Sequence, residues 1–405
     1  MKVWPRSQEK TGRTFNLAWP LRCSMAPETA SSPPIAERTK HPFLTYDMIY
    51  EIPDAIKQTL QTVFAKSVTL LPQLKNKSEF YFTGCGTAFH SAMLGGNILC
   101  LMKPGFNHEC VQALELANYH HSVSKNSAAF GVSHSGITKT TLDALHSVKE
   151  QGAFCIGLSH FPNRPITQLV DESLVVGNGP DKSRCHTKCY VSSAIALSQI
   201  CLSILEQQQA IDLERMQRIR KNIEELPELA LKVLRSTDDA MKAFAKRNAG
   251  KRTFYFVGSG PSYPNALETA LKVMESSYAP AQGFETEQFL HGPWVSLDAE
   301  SAVFVMATET RTYARSLDLV KAATNLGAGV LSIVKEGDKE MTEMCKDTVQ
   351  IPVVDEQLSP FLSIIPLYLY SYYMSLERGI NPDYIHYLTP AYWNARQIIF
   401  PPGTH

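Results

Sequence analysis

Two stretches of the chain carry nearly the same hydrophobic pattern. Apolar Phe80–Tyr81–Phe82 leads into Gly84-x-Gly86, and 174 residues later Phe254–Tyr255–Phe256 leads into Gly258-x-Gly260, with Ala92 and Ala266 also in step. An apolar β-favouring run, a glycine turn and then helical spacing predict a strand that feeds a helix. The elements expected around each copy keep one order. In the first they are strand 80–83, helix 88–101, strand 128–133, helix 138–151, strand 153–159, strand 173–176 and a long helix from 187. In the second they are strand 254–257, helix 263–278, strand 302–307, helix 313–326, strand 329–334, strand 348–354 and helix 358–378. Strands separated by helices of this length need crossover connections, so each copy reads as a parallel sheet with helices on both faces, an α/β fold. The charge-rich segment 211–236 has helical spacing and reads as a bridge between the copies. The boundaries expected are a mobile extension over 1–45, a first domain over 46–225, a second over 226–380, and a tail over 381–405 that packs over the site. The tail itself shows little period.

Composition narrows the class. A chain of 405 residues with 44% hydrophobic and 19% charged residues is ordinary globular protein, long enough for two cores. Its 39 basic and 39 acidic residues cancel, which leaves no broad footprint for nucleic acid or acidic lipid. No apolar run is read as long enough to cross a membrane. The longest, from Phe361, is interrupted by Pro366 and reads as a buried helix. Residues 1–45 are rich in Pro, Ser and Thr. Their basic residues (Lys2, Arg6, Lys10, Arg13 and Arg22) against the single acid Glu9 resemble a transit peptide weakly, and Met25 offers an alternative start. Nine irregularly spaced cysteines point to a reducing compartment, and cytoplasm is the expected location. Cys185 and Cys189 flank His186 at Cys-x3-Cys spacing, but no second pair follows at zinc-site spacing, so no metal and no cofactor is expected.

Two regions carry candidate chemistry. Ser133, His134, Ser135 and Thr138 gather around Gly136 at a helix start, where hydroxyls and free N–H groups suit a phosphate. The plainer alternative is a helix cap, which needs only one hydroxyl. The neighbouring glycine turn adds Cys85, Gly86 and Thr87. The second region is the helix after Gly260, where Glu268, Lys272 and Glu275 fall within a stripe of about 60° while apolar residues fill most of the rest. That stripe faces either water, as an ordinary ion-paired surface, or a pocket. In a pocket, two carboxylates flanking an ammonium can move a proton next to a carbonyl and steady the oxyanion that forms. His291, in a turn bounded by Gly292 and Pro293, is either structural or an acid–base group.

Taken together, "CGT" at Cys85, "SHSGIT" at Ser133, "HTK" at His186, "ALETALKVMESSY" at Ala266 and "FLHGP" at Phe289 resemble the paired sugar-isomerase (SIS) domains, most closely the isomerase half of glucosamine-6-phosphate synthase. The resemblance covers about 46–378. It implies two tandem SIS domains, each a three-layer αβα sandwich of flavodoxin-like or nucleotide-binding-like type. It also implies that Cys85, Gly86, Thr87, Ser133, His134, Ser135 and Thr138 surround a sugar phosphate. Glu275 would be the base acting through a cis-enediol, Lys272 and Glu268 its support, and His291 the ring opener, reaching the pocket of the neighbouring subunit in a homodimer. Three departures qualify it. Lys2, not cysteine, follows Met1, and too little chain precedes the first repeat for a glutaminase domain, so glutamine is not the expected ammonia source. The segment 387–400 lacks the synthase's C-terminal lysine. His134 and Ile137 replace the usual Gln and Glu of the serine motif. The expected activity is isomerisation or deamination of a hexose or aminohexose 6-phosphate, with fructosamine-6-phosphate deglycation and non-catalytic sugar-phosphate sensing as alternatives.

Overall fold

In a computed structural model, residues 38–119 and 123–401 are described. Most of the extension expected over 1–45 therefore lies outside the described residues. The helix Leu44–Tyr50 straddles the boundary expected at 45/46.

The first repeat builds strands β1 (Glu79–Gly84), β2 (His108–Gln112), β3 (Ser127–Val132), β4 (Phe154–Ser159) and β5 (Glu172–Val175), and the second builds β6 (Thr253–Gly258), β7 (Ala281–Phe284), β8 (Ser301–Met306), β9 (Gly329–Lys335) and β10 (Asp347–Ile351). All pairings are parallel, and the orders are β2-β1-β3-β4-β5 and β7-β6-β8-β9-β10, the same path walked twice. β1 and β6, and likewise β3 and β8, coincide residue for residue at the 174-residue offset. In this order the chain reverses direction across the sheet between β1 and β3. The carboxyl ends of those two strands therefore diverge into a crevice, the usual ligand position in open α/β sheets. The glycine turn after β1 and the serine-rich turn after β3 both open there.

Sequence pattern missed β2 and β7. Both are short edge strands: β2 alternates half-exposed polar residues, and β7 is four residues with a glycine inside. An edge strand buries too little to write a hydrophobic run. Two prolines sit inside helices. The helix Leu213–Asn248 runs unbroken through Pro227, and Pro360–Glu377 runs through Pro366. Packing on both sides of a helix this long or this buried outweighs the one backbone bond a proline removes. The boundary expected at 225/226 falls inside Leu213–Asn248, which packs against Pro360–Glu377 in one continuous apolar core spanning both sheets.

The reading of no membrane-length apolar run needs correction. The helix Lys188–Gln207 has a mean hydropathy of 1.5 and sufficient length, but 83% of that window is buried within the first domain. Its apolarity comes from being a central core helix, packed on Thr87–Gly96 and Ile52–Leu74.

The two ends of the described chain are tied together by one carboxylate. Asp383, fully buried, accepts the N–H groups of Leu44 and Thr45 at 2.9 and 2.8 Å and the Thr45 hydroxyl at 2.8 Å. It thus caps a helix start from 338 residues away in sequence. Replacing it strands three buried donors. Asp383→Ala is expected to cost about 3 kcal/mol, read as a lower urea midpoint at unchanged denaturant slope.

Candidate active site

The charged stripe settles one of the open alternatives. Glu268 and Lys272 on the helix Tyr263–Ser277 are 0% and 1% exposed, so the ridge does not face water. Lys272 Nζ lies 2.5 Å from Glu275 Oε2 and 3.5 Å from Glu268 Oε1. Glu268 is held in turn by first-domain groups: the Thr87 hydroxyl donates to it at 3.1 Å and His90 Nδ1 lies 2.8 Å away, while Tyr368 donates at 3.4 Å. Burial disfavours charge on Lys272, but the two carboxylates outweigh that and hold its pKa well above the ordinary value. Glu275 is 27% exposed. Burial raises its pKa, and the Lys272 ammonium only partly counters this. A carboxyl with a raised pKa beside a fixed ammonium has the make-up of an acid–base group.

Glu275 opens into a cleft of ≈ 480 Å³ that is also lined by Met274, Tyr278 and Ala279 and, from the tail, Ile385, His386 and Tyr392. Met274, expected on the buried face, is instead 43% exposed at the cleft wall. Tyr278 ends the helix in the left-handed conformation (φ 54°), which turns its ring out to stack on His386 (centroids 3.4 Å apart), and His386 stacks in turn on Tyr392 (3.9 Å). The tail, read from sequence as aperiodic, holds a helix over Pro390–Ile399 that buries no residue fully. Arg396 of that helix is spent on Tyr387, donating to its hydroxyl at 3.1 Å.

In the serine-rich turn, Ser133 donates to the Thr138 hydroxyl at 3.0 Å and accepts the Gly136 N–H at 3.1 Å. Thr138, at the start of the helix Lys139–Glu150, makes no side-chain cap. The hydroxyls thus brace one another and leave the first N–H groups of that helix uncapped, the condition for receiving an anion. Gly136 has φ 71°, and a Cβ there would lie 2.6 Å from the Arg164 Cβ. Ser135 accepts from Ile137 at 3.4 Å. His134 stands 4.2 Å, centroid to centroid, from His186, and burial pushes both imidazoles below their ordinary pKa. The charge of Lys272 reaches both rings, which ties this turn electrostatically to the ridge.

Other expected site residues fall differently. Thr87 turns to Glu268 in this chain, and Cys85 lies 3.8 Å from the Thr141 hydroxyl, half-buried among apolar groups. Gly86 supplies the positive-φ turn (φ 55°) over Leu271. His291 stands apart from the cleft: it is 76% exposed, with Nδ1 2.8 Å from the Glu287 carbonyl oxygen. His90 was not singled out by sequence. It sits one turn beyond Thr87 on the same helix face, and that i,i+3 spacing was the available signal.

The SIS domain profile matches residues 73–203 and again 249–378. The chain belongs to the SIS domain family. This SIS chain is 28% identical over 356 residues (86% of it) to a glutamine–fructose-6-phosphate aminotransferase of Clostridium tetani, and 30% identical over 335 residues (83%) to that of Aquifex aeolicus. It spans 58% and 55% of the length of those relatives. Among solved structures it resembles the C-terminal domain of the Francisella tularensis glucosamine-fructose-6-phosphate aminotransferase (TM-score 0.78, 20% identity, 86% of this chain and 100% of that one). It also resembles the Thermotoga maritima glucosamine-6-phosphate deaminase (0.66, 22%, 84% and 96%). The tandem three-layer α/β SIS fold read from the motifs is thus borne out.

The corresponding turn of the second repeat is built differently. Glu309 occupies the position of Ser135 at the 174-residue offset, and its carboxyl accepts from Ser262 and, at 2.9 Å, from Thr308. There the chain's own carboxyl fills the position that Ser135 holds in the first repeat. Burial pushes the Glu309 pKa up to about 7, against an ordinary value of 4.5, so the folded protein keeps a proton that the unfolded chain releases. Stability from this group is complete below about pH 4.5, falls as pH rises to about 7, and is level beyond. The total is about 3 kcal/mol. Denaturant unfolding at about pH 5 and about pH 8 is expected to show this loss in the native protein and to lack it in Glu309→Gln.

Proposed function

We propose that this SIS protein is an enzyme that isomerises or deaminates a hexose or aminohexose 6-phosphate. The observation that carries this reading is the buried Glu268–Lys272–Glu275 ridge, which is sealed from solvent except where Glu275 meets the cleft. A surface ion pair has no need of such burial, and a module that only binds has no need of a carboxyl with a raised pKa next to an ammonium. The phosphate is taken by the free helix start at Lys139, with Ser133, Ser135 and Thr138 around it. Glu275 then removes the proton on the carbon next to the carbonyl and returns it to the neighbouring carbon, passing through an enediol. Lys272 steadies the enediolate oxygen, and Glu268 keeps Lys272 in place. With an amino substituent on that carbon, the same proton transfers convert the amine to an imine, which water hydrolyses to a ketose phosphate and ammonia. The names of the curated relatives and of the deaminase neighbour agree with this substrate class. His291, exposed on its own chain, serves the cleft of a second subunit in a homodimer.

Incubation of the purified chain with glucosamine 6-phosphate and with fructose 6-phosphate is expected to yield ammonia from the first or interconversion of the second. Failure on every hexose and aminohexose phosphate tried would overturn the reading. Glu275→Gln is expected to slow exchange of the C2 proton with solvent by at least about 10²-fold while substrate still raises the melting temperature. Undiminished exchange would remove Glu275 as the base.

A further inference from the structure

The segment Cys185-His186-Thr187-Lys188-Cys189 has no second ligand pair at zinc-site spacing along the chain. The fold supplies the missing donor from a different strand. The turn after β3 carries His134 against His186, and one donor atom each from His134, His186 and Cys189 lies within 4.8 Å of the other two. Two further observations point at this place. His134 Nδ1 is closed off from solvent with no hydrogen-bond partner, and so is Asp181 Oδ1. The other Asp181 oxygen accepts the Cys189 N–H at 3.1 Å, which fixes the carboxylate beside the cysteine. A sequestered imidazole nitrogen without a partner is an uncompensated desolvation that a metal ion held by the cluster relieves, and the Asp181 carboxylate, fixed beside Cys189, adds negative charge close by.

We propose that His134, His186 and Cys189 form a binding site for a divalent transition-metal ion of the zinc class, with Asp181 as its neighbouring charge partner. Two imidazoles and a thiolate are borderline-soft donors that suit zinc, whereas calcium and magnesium take oxygen. The thiolate and the Asp181 carboxylate together offset the two positive charges. Lys272, whose field reaches both histidines, does not repel the ion outright, because Glu268 and Glu275 stand beside it. Zinc needs its nitrogen and sulfur ligands at about 2.0 to 2.3 Å, so the three side chains close inward slightly as the ion enters. Three protein donors leave a fourth position open, as in zinc sites that meet a water or a substrate and unlike closed structural sites. Because His134 belongs to the serine-rich turn, the ion borders the proposed phosphate seat. The proposal does not rest on sugar-phosphate turnover, since occupancy is read directly.

The test uses the full chain, stripped with a chelator and titrated with cobalt(II) as a coloured stand-in for zinc. The expected result is one cobalt per chain, with intense visible d–d bands of a tetrahedral centre and a near-ultraviolet thiolate-to-cobalt charge-transfer band, both bleached by added zinc. Cys189→Ser is expected to remove the charge-transfer band, and Cys189→Ser and His134→Gln each to weaken zinc binding at least about tenfold. Cys185→Ser, which alters a thiol outside the cluster, is expected to keep both. Circular dichroism checks that each variant is folded. If Cys189→Ser is not, His134→Gln decides alone. No cobalt band in the unaltered chain, or binding undiminished in folded His134→Gln, would overturn the proposal, as would loss of the thiolate band in Cys185→Ser but not in Cys189→Ser.

Discussion

The molecule is organised around the Lys272 ammonium, fully enclosed and flanked by two carboxylates. Removing such an ion from water costs several kcal/mol. One carboxylate at about 4 Å returns roughly 4 kcal/mol in the effective dielectric of a protein, so a single partner barely offsets the loss and two can exceed it. Both carboxylates, however, must also leave water. Glu268 is made tolerable by Thr87, His90 and Tyr368, and two of those three come from the helix of the other domain. Satisfying one buried charge thus fixes how the helix Tyr263–Ser277 sits on Thr87–Gly96. The register between the two repeats is an electrostatic requirement as much as a matter of apolar packing.

The same accounting explains why Glu275 is the group that can change its charge. With all three ionised, the ridge carries two negative charges against one positive. Glu268 has three groups to hold its charge, whereas Glu275 has Lys272 and an open edge at the cleft. The excess is relieved most cheaply by protonating the residue with the least support, which agrees in direction with its raised pKa. The residue at the cleft is therefore a carboxyl with a raised pKa next to an ammonium whose pKa is held high.

Much of this could be read from the residues, and the failures have physical causes. The strands β1, β3, β6 and β8 were legible because central parallel strands are buried on both faces and must be written in continuous apolar letters. β2 and β7 were not, because an edge strand can be polar and short. The acidic and basic stripe was legible as a stripe, but its direction was not. Spacing says which residues share a face, and only the packed neighbours say whether that face meets water. His90 and the grouping of His134 with Cys189 belong to a third class, made by contacts between segments 178 and 55 residues apart. Periodicity carries no information at that range.

The near-identity of the two repeats sharpens what differs between them. The fold provides the same crevice twice, at the carboxyl ends of β1 and β3 and again of β6 and β8. In the second repeat, burial pushes the pKa of Glu309 up to about 7. In the first repeat, Ser135 stands at the corresponding position, next to a helix start without a side-chain cap. The Glu309 carboxyl, accepting from Ser262 and Thr308, occupies the position equivalent to Ser135 and offers an anion no positive charge. On the proposed function, the two copies divide the work: the first repeat supplies the phosphate seat and the second the proton chemistry.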